Sequence, residues 1–214
     1  QQGGRGVLLG GVPGVMPGRV AILGGGVVGT EAAKMAIGLG AQVTIIDISV
    51  DRLSYLETLF GSRVSLLYST GASIAATVAD ADLVIGAVLV PGRKAPTLVT
   101  REVVERMHPG SVIVDVAIDQ GGCIETLRAT SHSEPIYTEL GVIHCGVPNM
   151  PGAVPWTATQ ALNNSTLPYV LQLADKGIAA LKSGSAIGNE LATGLSVYDY
   201  QLVHPAVQKV FPDL

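Results

Sequence analysis

The chain has 214 residues, the length of one or two domains. Apolar residues make up 48% and charged residues 14%, which provides for a sizeable core and excludes a disordered chain. The net charge of −4 lacks the basic surplus of nucleic-acid binders, so no nucleic-acid partner is expected. No apolar run approaches the roughly 18–20 residues of a membrane span, so no membrane partner is expected either.

The cysteines and histidines suggest neither a disulfide framework nor a metal site. Cys123 and Cys145 form no C-x-x-C pair, and two cysteines in a chain of this length favour reduced thiols. The four histidines lack ligand spacing, so no metal is predicted. No signal peptide opens the chain, and a cytoplasmic location is expected. Because the chain starts without Met in a glycine-rich stretch, we expect residue 1 to be a boundary within a longer polypeptide.

Strand and helix patterns alternate along the first two thirds of the chain. The predicted strands are Arg19–Leu23, Gln42–Ile46, Val64–Tyr68, Leu83–Val90, Ser111–Val116 and Val142–Cys145. The predicted helices are a segment between the first two strands that stops at 38–40, then Asp51–Phe60, Ser73–Ala79 and Thr100–Met107. This is the spacing of βαβ units, so residues 1–150 are predicted to form an α/β domain with a doubly wound parallel sheet.

The pattern changes after residue 150. Residues 151–182 carry helical periodicity, and the tail to residue 214 is predicted as helix and loop with no further βαβ unit. We therefore expect residues 151–214 to be a helical C-terminal segment of a second, substrate-binding domain, truncated here because the rest of that domain lies outside the chain.

The sharpest local motif is the G-x-G-x-x-G of residues 24–29, which follows a strand and opens a helix. In a dinucleotide-binding turn, Gly24 allows the tight turn, Gly26 lets the backbone approach a pyrophosphate, and Gly29 lets helix and strand pack closely. The helix N-terminus then offers free N–H groups to the phosphates. The alternative is a glycine-rich turn without a ligand, but the βαβ context is the one that the motif requires.

Asp47 ends the second predicted strand, where the dinucleotide fingerprint places an acid that binds the adenosine ribose hydroxyls. The same carboxylate would repel a 2′-phosphate, which favours NAD over NADP. The alternative is a helix N-cap or a loop acid. Arg52 lies close to Asp47 in the sequence, and its positive charge would offset part of the repulsion of a 2′-phosphate.

Two acids stand near the end of a later buried strand. Asp119 lies just past the strand and before a glycine pair, at the sheet edge where open α/β sheets bind ligands. Asp115 lies four residues earlier, and the alternative is a buried structural acid; spacing alone does not choose between the two, and by itself it favours a structural role over a functional one. The Asn149–Gly152 loop follows the last predicted strand at the same edge. His144, in an apolar strand, is interpreted as a core histidine.

Five segments resemble the alanine dehydrogenase family, and most closely its cyanobacterial members. They are residues 5–15, 23–29, 85–92, 114–126 (VDVAIDQGGCIET) and 147–159 (VPNMPGAVPWTAT). The resemblance runs along essentially the whole chain but covers only the second part of a family member. It implies a Rossmann-like NAD-binding domain, reversible conversion of L-alanine, water and NAD⁺ to pyruvate, ammonium and NADH, and a homo-oligomer, a hexamer when full length.

The resemblance also implies site residues. Asp119 matches the family's active-site aspartate, whose carboxylate can orient water and the cationic iminium or amine during hydride transfer. The cofactor-binding set adds the glycine-turn residues Gly24, Gly26, Val28 and Gly29, then Asp47, Arg52, Ser69, Val88, Leu89, Val116, Ala117, Ile118, Asn149 and Met150. The family's catalytic histidine and the basic residues that grip the substrate carboxylate match no position here.

Two alternatives remain. The first is the NAD(H)-binding subunit of a proton-translocating transhydrogenase, a family that typically has a glutamate in place of Asp119 and a different form of the Asn149–Gly152 segment. The second is a nucleotide-sensing module without chemistry. Alanine-dependent NADH production by the complete polypeptide separates the three hypotheses.

Overall fold

A computed structural model describes residues 3–90, 95–182 and 184–211. The chain divides into two compact units, Gln1–Met150 and Pro151–Leu214. The last two residues of the 85–92 segment, which carries part of the family resemblance, lie outside the described residues.

The first unit contains a seven-stranded sheet in the order β3-β2-β1-β4-β5-β7-β6. Its strands are β1 (Arg19–Leu23), β2 (Gln42–Asp47), β3 (Val64–Tyr68), β4 (Leu83–Gly86), β5 (Val112–Asp115), β6 (Ile136–Glu139) and β7 (Val142–Cys145). All neighbouring strands pair in parallel except β6, which pairs antiparallel with β7 at one edge. The helices are α1 (Val27–Gly38), α2 (Val50–Phe60), α3 (Gly71–Ala79) and α4 (Arg101–Val104).

Alternate residues of β1 enter two separate apolar cores, one on each face of the sheet. Val20 and Ile22 pack with residues of α1 and α2, including Ala33, Leu56 and Phe60. Ala21 and Leu23 pack with residues of α3 and α4, including Ile74, Val78 and Val104. Because helices cover both faces, the predicted α/β doubly wound sheet is confirmed.

Three of the strands and α-helices in this unit differ from the sequence prediction by more than two residues at one end or were not predicted. Strand β4 ends at Gly86 because its partner β1 ends at Leu23, where the chain turns away at Gly24 with φ +95°. Helix α4 covers only Arg101–Val104 of the predicted 100–107. Strand β6 was not predicted, because it joins β7 through Leu140 and Gly141 at φ +54° and +76°, without the Asn-Gly or Asp-Gly signal of such turns.

The second unit is mainly helical. It contains α5 (Pro155–Lys176), a 3-10 stretch (Gly177–Lys182), α6 (Ala186–Thr193), the short strands β8 (Val197–Tyr198) and β9 (Gln201–Leu202), and α7 (Pro205–Val210). The helical C-terminal segment is thus confirmed, whereas the β8–β9 hairpin was not predicted. Its turn again uses residues other than glycine at positive φ, Asp199 and Tyr200. None of the helices in the described ranges is long and apolar enough to cross a membrane.

His144 lies in β7 and is fully buried. Its Nδ1 donates to the Val142 carbonyl at 2.9 Å, so in the neutral ring Nε2 accepts from the Thr126 hydroxyl at 2.8 Å. The ring also stacks on Tyr137, with centroids 5.1 Å apart. Both nitrogens are therefore used inside the protein, and burial lowers the pKa of His144. The interpretation of His144 as a core residue agrees with this environment.

The lowered pKa of His144 makes stability depend on pH. The unfolded chain takes up the proton near pH 6.5, whereas the folded chain resists it, so stability is fully present above that pH and is lost as the pH falls through the folded pKa. We expect urea denaturation between pH 5 and 8 to show the free energy of unfolding falling at acid pH, with at most about 1.4 kcal/mol per pH unit from this proton.

The variant His144→Asn removes the titrating ring and should flatten that slope, whereas the same change at the exposed His108 should leave it intact. Identical slopes in the parent and in His144→Asn would show that His144 does not link protonation to folding.

Candidate functional site

A groove of about 520 Å³ opens at the carboxyl ends of β1, β2 and β4. It lies where the strand order reverses between β1 and β4, the position at which open α/β sheets bind ligands. Its described lining includes seven of the predicted cofactor residues: Gly24, Gly26, Val28, Asp47, Ser69, Val88 and Leu89. The structure therefore brings together residues that end or follow four strands, β1 to β4, and residues at the start of α1.

Close packing requires two of the three motif glycines, and the third borders open space. A Cβ on Gly29 would lie 1.9 Å from the Gly24 carbonyl oxygen, so only glycine lets α1 approach the turn this closely. A Cβ on Gly24 would lie 2.7 Å from the Ala87 carbonyl oxygen, in addition to the positive φ. A Cβ on Gly26 would meet no described atom within 4 Å. Packing accounts for Gly24 and Gly29, whereas Gly26 leaves open space beside the groove.

The N-terminus of α1 faces this open space. Gly26 is its N-cap and Val27 its first residue, and both line the groove. Within the described residues, no side chain caps this helix end and no acid lies in its first turn. The first backbone N–H groups and the positive end of the helix dipole are thus available to an anion. These features fit the pyrophosphate of a dinucleotide.

Asp47 ties the end of β2 to the glycine turn. Its Oδ2 accepts from the Gly25 N–H at 2.7 Å, and its Oδ1 accepts from the Ser49 N–H at 2.8 Å. The N-cap of α2 is Ser49, whose hydroxyl accepts from the Arg52 N–H at 3.2 Å, so Asp47 is not a helix cap. Each carboxylate oxygen has a further lone pair. The two backbone hydrogen bonds therefore fix the orientation of the Asp47 carboxylate, which lines the groove and can still accept hydrogen bonds from a ligand.

Arg52 contacts the same turn. Its Nε donates to the Gly25 carbonyl, and its Nη2 donates to the Thr30 hydroxyl at 2.7 Å. The guanidinium also lies over the Tyr55 ring, 4.6 Å from the centroid. Arg52 does not belong to the described lining of the groove. Its hydrogen bonds to the Gly25 carbonyl and the Thr30 hydroxyl therefore support the turn and the start of α1.

The structure separates the two acids that spacing could not rank. Asp115 is fully buried at the end of β5, where its carboxylate accepts backbone N–H groups. Asp119 is exposed on the 3-10 turn Ile118–Gln120 that follows. Of these two acids, only Asp119 is accessible to a ligand in the described structure.

The remaining predicted residues lie beyond the groove's described lining. Val116 continues from β5 by donating to the Gly86 carbonyl at 2.9 Å, and Ala117 and Ile118 lead into the turn of Asp119. Asn149 has φ +54°, and its carbonyl accepts from His132 Nε2 at 3.2 Å. Met150 is the last residue of the first unit.

The predicted cofactor set does not contain eight further residues of the described lining: Leu23, Val27, Ile46, Ile48, Ala87, Val90, Pro96 and Leu98. Ile48 is 72% exposed directly after Asp47, and an apolar residue at that position was the one available signal. Pro96 and Leu98 come from an irregular segment whose position depends on tertiary contacts. No group of three or more His, Cys, Asp or Glu residues in the described part of the chain is arranged to hold a metal.

Comparisons with known proteins agree with this geometry. The profile of the family described as "Alanine dehydrogenase/PNT, C-terminal domain" matches residues 1–205. The alanine dehydrogenase of Bacillus subtilis is 57% identical over 204 residues, which are 94% of this chain and 54% of that protein. A solved L-alanine dehydrogenase structure is 72% identical with a TM-score of 0.93, covering 100% of this chain and 58% of that one.

A transhydrogenase structure from Sinorhizobium meliloti is more distant, with 26% identity and a TM-score of 0.72 over 96% of this chain and 55% of that one. The chain spans about half the length of the curated relatives it matches. The family resemblance predicted from the sequence is confirmed, and the chain belongs to the alanine dehydrogenase/PNT C-terminal domain family.

Proposed function

We propose that these residues form the NAD-binding part of an alanine dehydrogenase, which reversibly converts L-alanine and water to pyruvate and ammonium. The observation that carries the proposal is the groove in which the glycine turn, the uncapped start of α1 and the Asp47 carboxylate meet. Family membership supplies the reaction class, and the groove supplies the chemistry that recognises the cofactor.

In this proposal each wall of the groove recognises one part of NAD(H). The start of α1 binds the pyrophosphate, with Gly26 and Val28 in contact, and Gly24 and Gly29 shape the turn. Asp47 accepts the hydroxyls of the adenosine ribose, next to Ser69. Arg52 holds the turn through its bonds to Gly25 and Thr30. Bound NAD⁺ supplies the hydride acceptor. We assign contacts farther along the cofactor to Val88, Leu89, Val116, Ala117, Ile118, Asn149 and Met150.

Asp119 is the catalytic residue that we assign within the chain. It is an exposed carboxylate beyond the carboxyl end of β5, on the turn Ile118–Gln120. A fixed negative charge there favours the cationic amine or iminium of the substrate and can orient the attacking water. We propose that the general base and the cations that hold the substrate carboxylate lie outside these 214 residues, in the rest of the substrate domain to which residues 151–214 belong.

The transhydrogenase alternative is less well supported. Its structural relative shares 26% identity with the chain, compared with 72% for the L-alanine dehydrogenase. Alanine-dependent formation of NADH decides between them, since only the dehydrogenase hypothesis requires it.

As part of the same proposal we place the enzyme in the cytoplasm. Both cysteines are free thiols, which suits a reducing compartment. Assembly into a homo-oligomer, a hexamer when full length, stays a prediction that light scattering of the full-length protein tests.

The first functional prediction concerns cofactor choice. Asp47→Asn removes the charge that repels a 2′-phosphate and keeps one acceptor oxygen for the two N–H groups of Gly25 and Ser49. We expect the parent chain to bind NADH more tightly than NADPH, and the variant to narrow the ratio of the two affinities by about 10- to 100-fold. Calorimetric titration of both cofactors measures this ratio, with Asp51→Asn, an exposed acid at the start of α2, as the control. Equal affinities in the parent chain would refute the role of Asp47.

The second functional prediction concerns Asp119. In a full-length polypeptide that carries this chain, Asp119→Asn should lower kcat by about 10²–10³-fold while NADH binding and folding persist. Gln120→Ala changes the next exposed residue of the same turn and should have little effect. Steady-state kinetics with alanine provide the measurement, and turnover of Asp119→Asn within a few-fold of the parent would make Asp119 a structural residue.

The third functional prediction concerns the 214 residues alone. Because the groove is formed within them, we expect them to bind NADH, and because the substrate-binding cations are proposed to lie elsewhere, we expect no oxidation of alanine. A fluorescence titration should lose NADH binding in Gly29→Ala, whose Cβ would lie 1.9 Å from the Gly24 oxygen. Gly38→Ala, with no described atom within 4 Å of the added Cβ, should bind normally. Alanine turnover comparable to that of an intact dehydrogenase would contradict the proposal that the substrate-binding cations lie outside these 214 residues.

A further inference from the structure

The buried carboxylate of Asp115 joins both ends of the turn that carries Asp119. Oδ1 accepts from the Ala117 N–H at 3.0 Å, and Oδ2 accepts from the Cys123 N–H at 2.7 Å. These two residues flank the turn Ile118–Gln120 on either side. One side chain, inaccessible to any ligand, thus closes the loop that presents an exposed carboxylate to the site.

Two glycines make room for this carboxylate. A Cβ on Gly86, the last residue of β4, would lie 2.7 Å from Asp115 Cγ. A Cβ on Gly122 would lie 2.9 Å from Asp115 Oδ2, and Gly122 also has φ +62°. The carboxylate therefore occupies a fitted position between the end of β4 and the end of the loop, and any added side-chain atom there must displace it.

Cys123 extends the connection to the wall of the groove. Its carbonyl accepts from the N–H groups of Leu98 at 2.8 Å and Val99 at 3.1 Å, and Leu98 lines the groove. Burial, and then the neighbouring Asp115 carboxylate, raise the pKa of the Cys123 thiol, so the thiol stays protonated. The segment at Leu98 and the turn of Asp119 are thus held by neighbouring groups.

We propose that Asp115 is a positioning residue, which fixes the Asp119 turn and the adjoining groove wall at Leu98 in the geometry that the reaction needs. The role of this geometry in alanine oxidation rests on the proposed function, whereas the holding of the turn rests on the contacts alone. Asp115 acts through Asp119 and touches neither cofactor nor substrate, because it is fully buried.

Two variants disturb the carboxylate in different ways. Asp115→Asn is isosteric, but its amide group donates and so opposes one of the two backbone N–H groups. Gly86→Ala keeps the carboxylate and pushes it with a Cβ at 2.7 Å. Gly38→Ala is the matched control, because its Cβ meets no described atom within 4 Å.

Amide hydrogen exchange of the 214-residue chain tests the holding of the turn without any activity. We expect exchange at Ala117 and Cys123 to become about 10- to 100-fold faster in Asp115→Asn and in Gly86→Ala, and to stay unchanged in Gly38→Ala. If Asp115→Asn fails to fold, Gly86→Ala provides the test. Unchanged exchange in the folded variants would overturn the proposal.

Kinetics of the full-length polypeptide test the consequence for chemistry. In both variants, kcat per folded molecule should fall by about 10²-fold while the KM for alanine changes by less than about threefold, and the affinity for NADH should fall by a smaller factor than kcat because most of the groove lies outside the turn. Faster exchange with an unchanged kcat would also overturn the positioning role. If the parent forms no NADH from alanine, the proposed function fails, and the exchange result alone decides whether Asp115 holds the turn.

Discussion

The hydrogen bond from the Gly25 N–H to the Asp47 carboxylate is the contact on which the rest of the site depends. It joins the end of β2 to the glycine turn after β1, so that two strand ends and the start of α1 form one surface. Arg52 also holds the turn, through the Gly25 carbonyl and the Thr30 hydroxyl. The turn is therefore fixed before a ligand arrives, which lowers the ordering cost of binding.

A second carboxylate has a comparable structural role at the end of β5 but cannot meet a ligand. Asp47 and Asp115 each accept hydrogen bonds from two backbone N–H groups. Asp47 lines the groove, whereas Asp115 is buried beside Gly86 and Gly122. Burial thus separates an acid that can recognise a ribose from an acid that shapes a loop. If Asp115 holds the turn as we propose, the position of the exposed Asp119 in the site depends on a buried carboxylate that no ligand contacts.

The sequence predicted the parts of the fold that local patterns determine. Six strands of the main sheet, the glycine turn and the position of Asp47 follow from apolar runs that alternate with helices and from one motif in its required context. The sequence did not predict the hairpins β6–β7 and β8–β9. Their turns place Leu140, Asp199 and Tyr200 at positive φ, where glycine or asparagine is the usual signal. The sequence could not choose between Asp115 and Asp119, because the choice depends on the burial of Asp115 against Gly86, a residue distant in sequence.

Binding of NAD(H) in the groove at the carboxyl ends of β1 and β4 is the central claim. The opposite edge of the sheet holds a larger cavity, about 620 Å³, lined by the amino ends of strands and by residues such as Arg19, Arg63 and Asp80. That cavity lies away from the glycine turn and from the uncapped helix end, so its size does not make it the cofactor site.

Amide chemical-shift changes on titrating the isotope-labelled chain with NADH test this claim directly. We expect the largest changes to map to residues 25–28, Ile48 and 88–89. Changes that map instead to the cavity at Arg19 and Arg63, or no saturable changes at all, would contradict it.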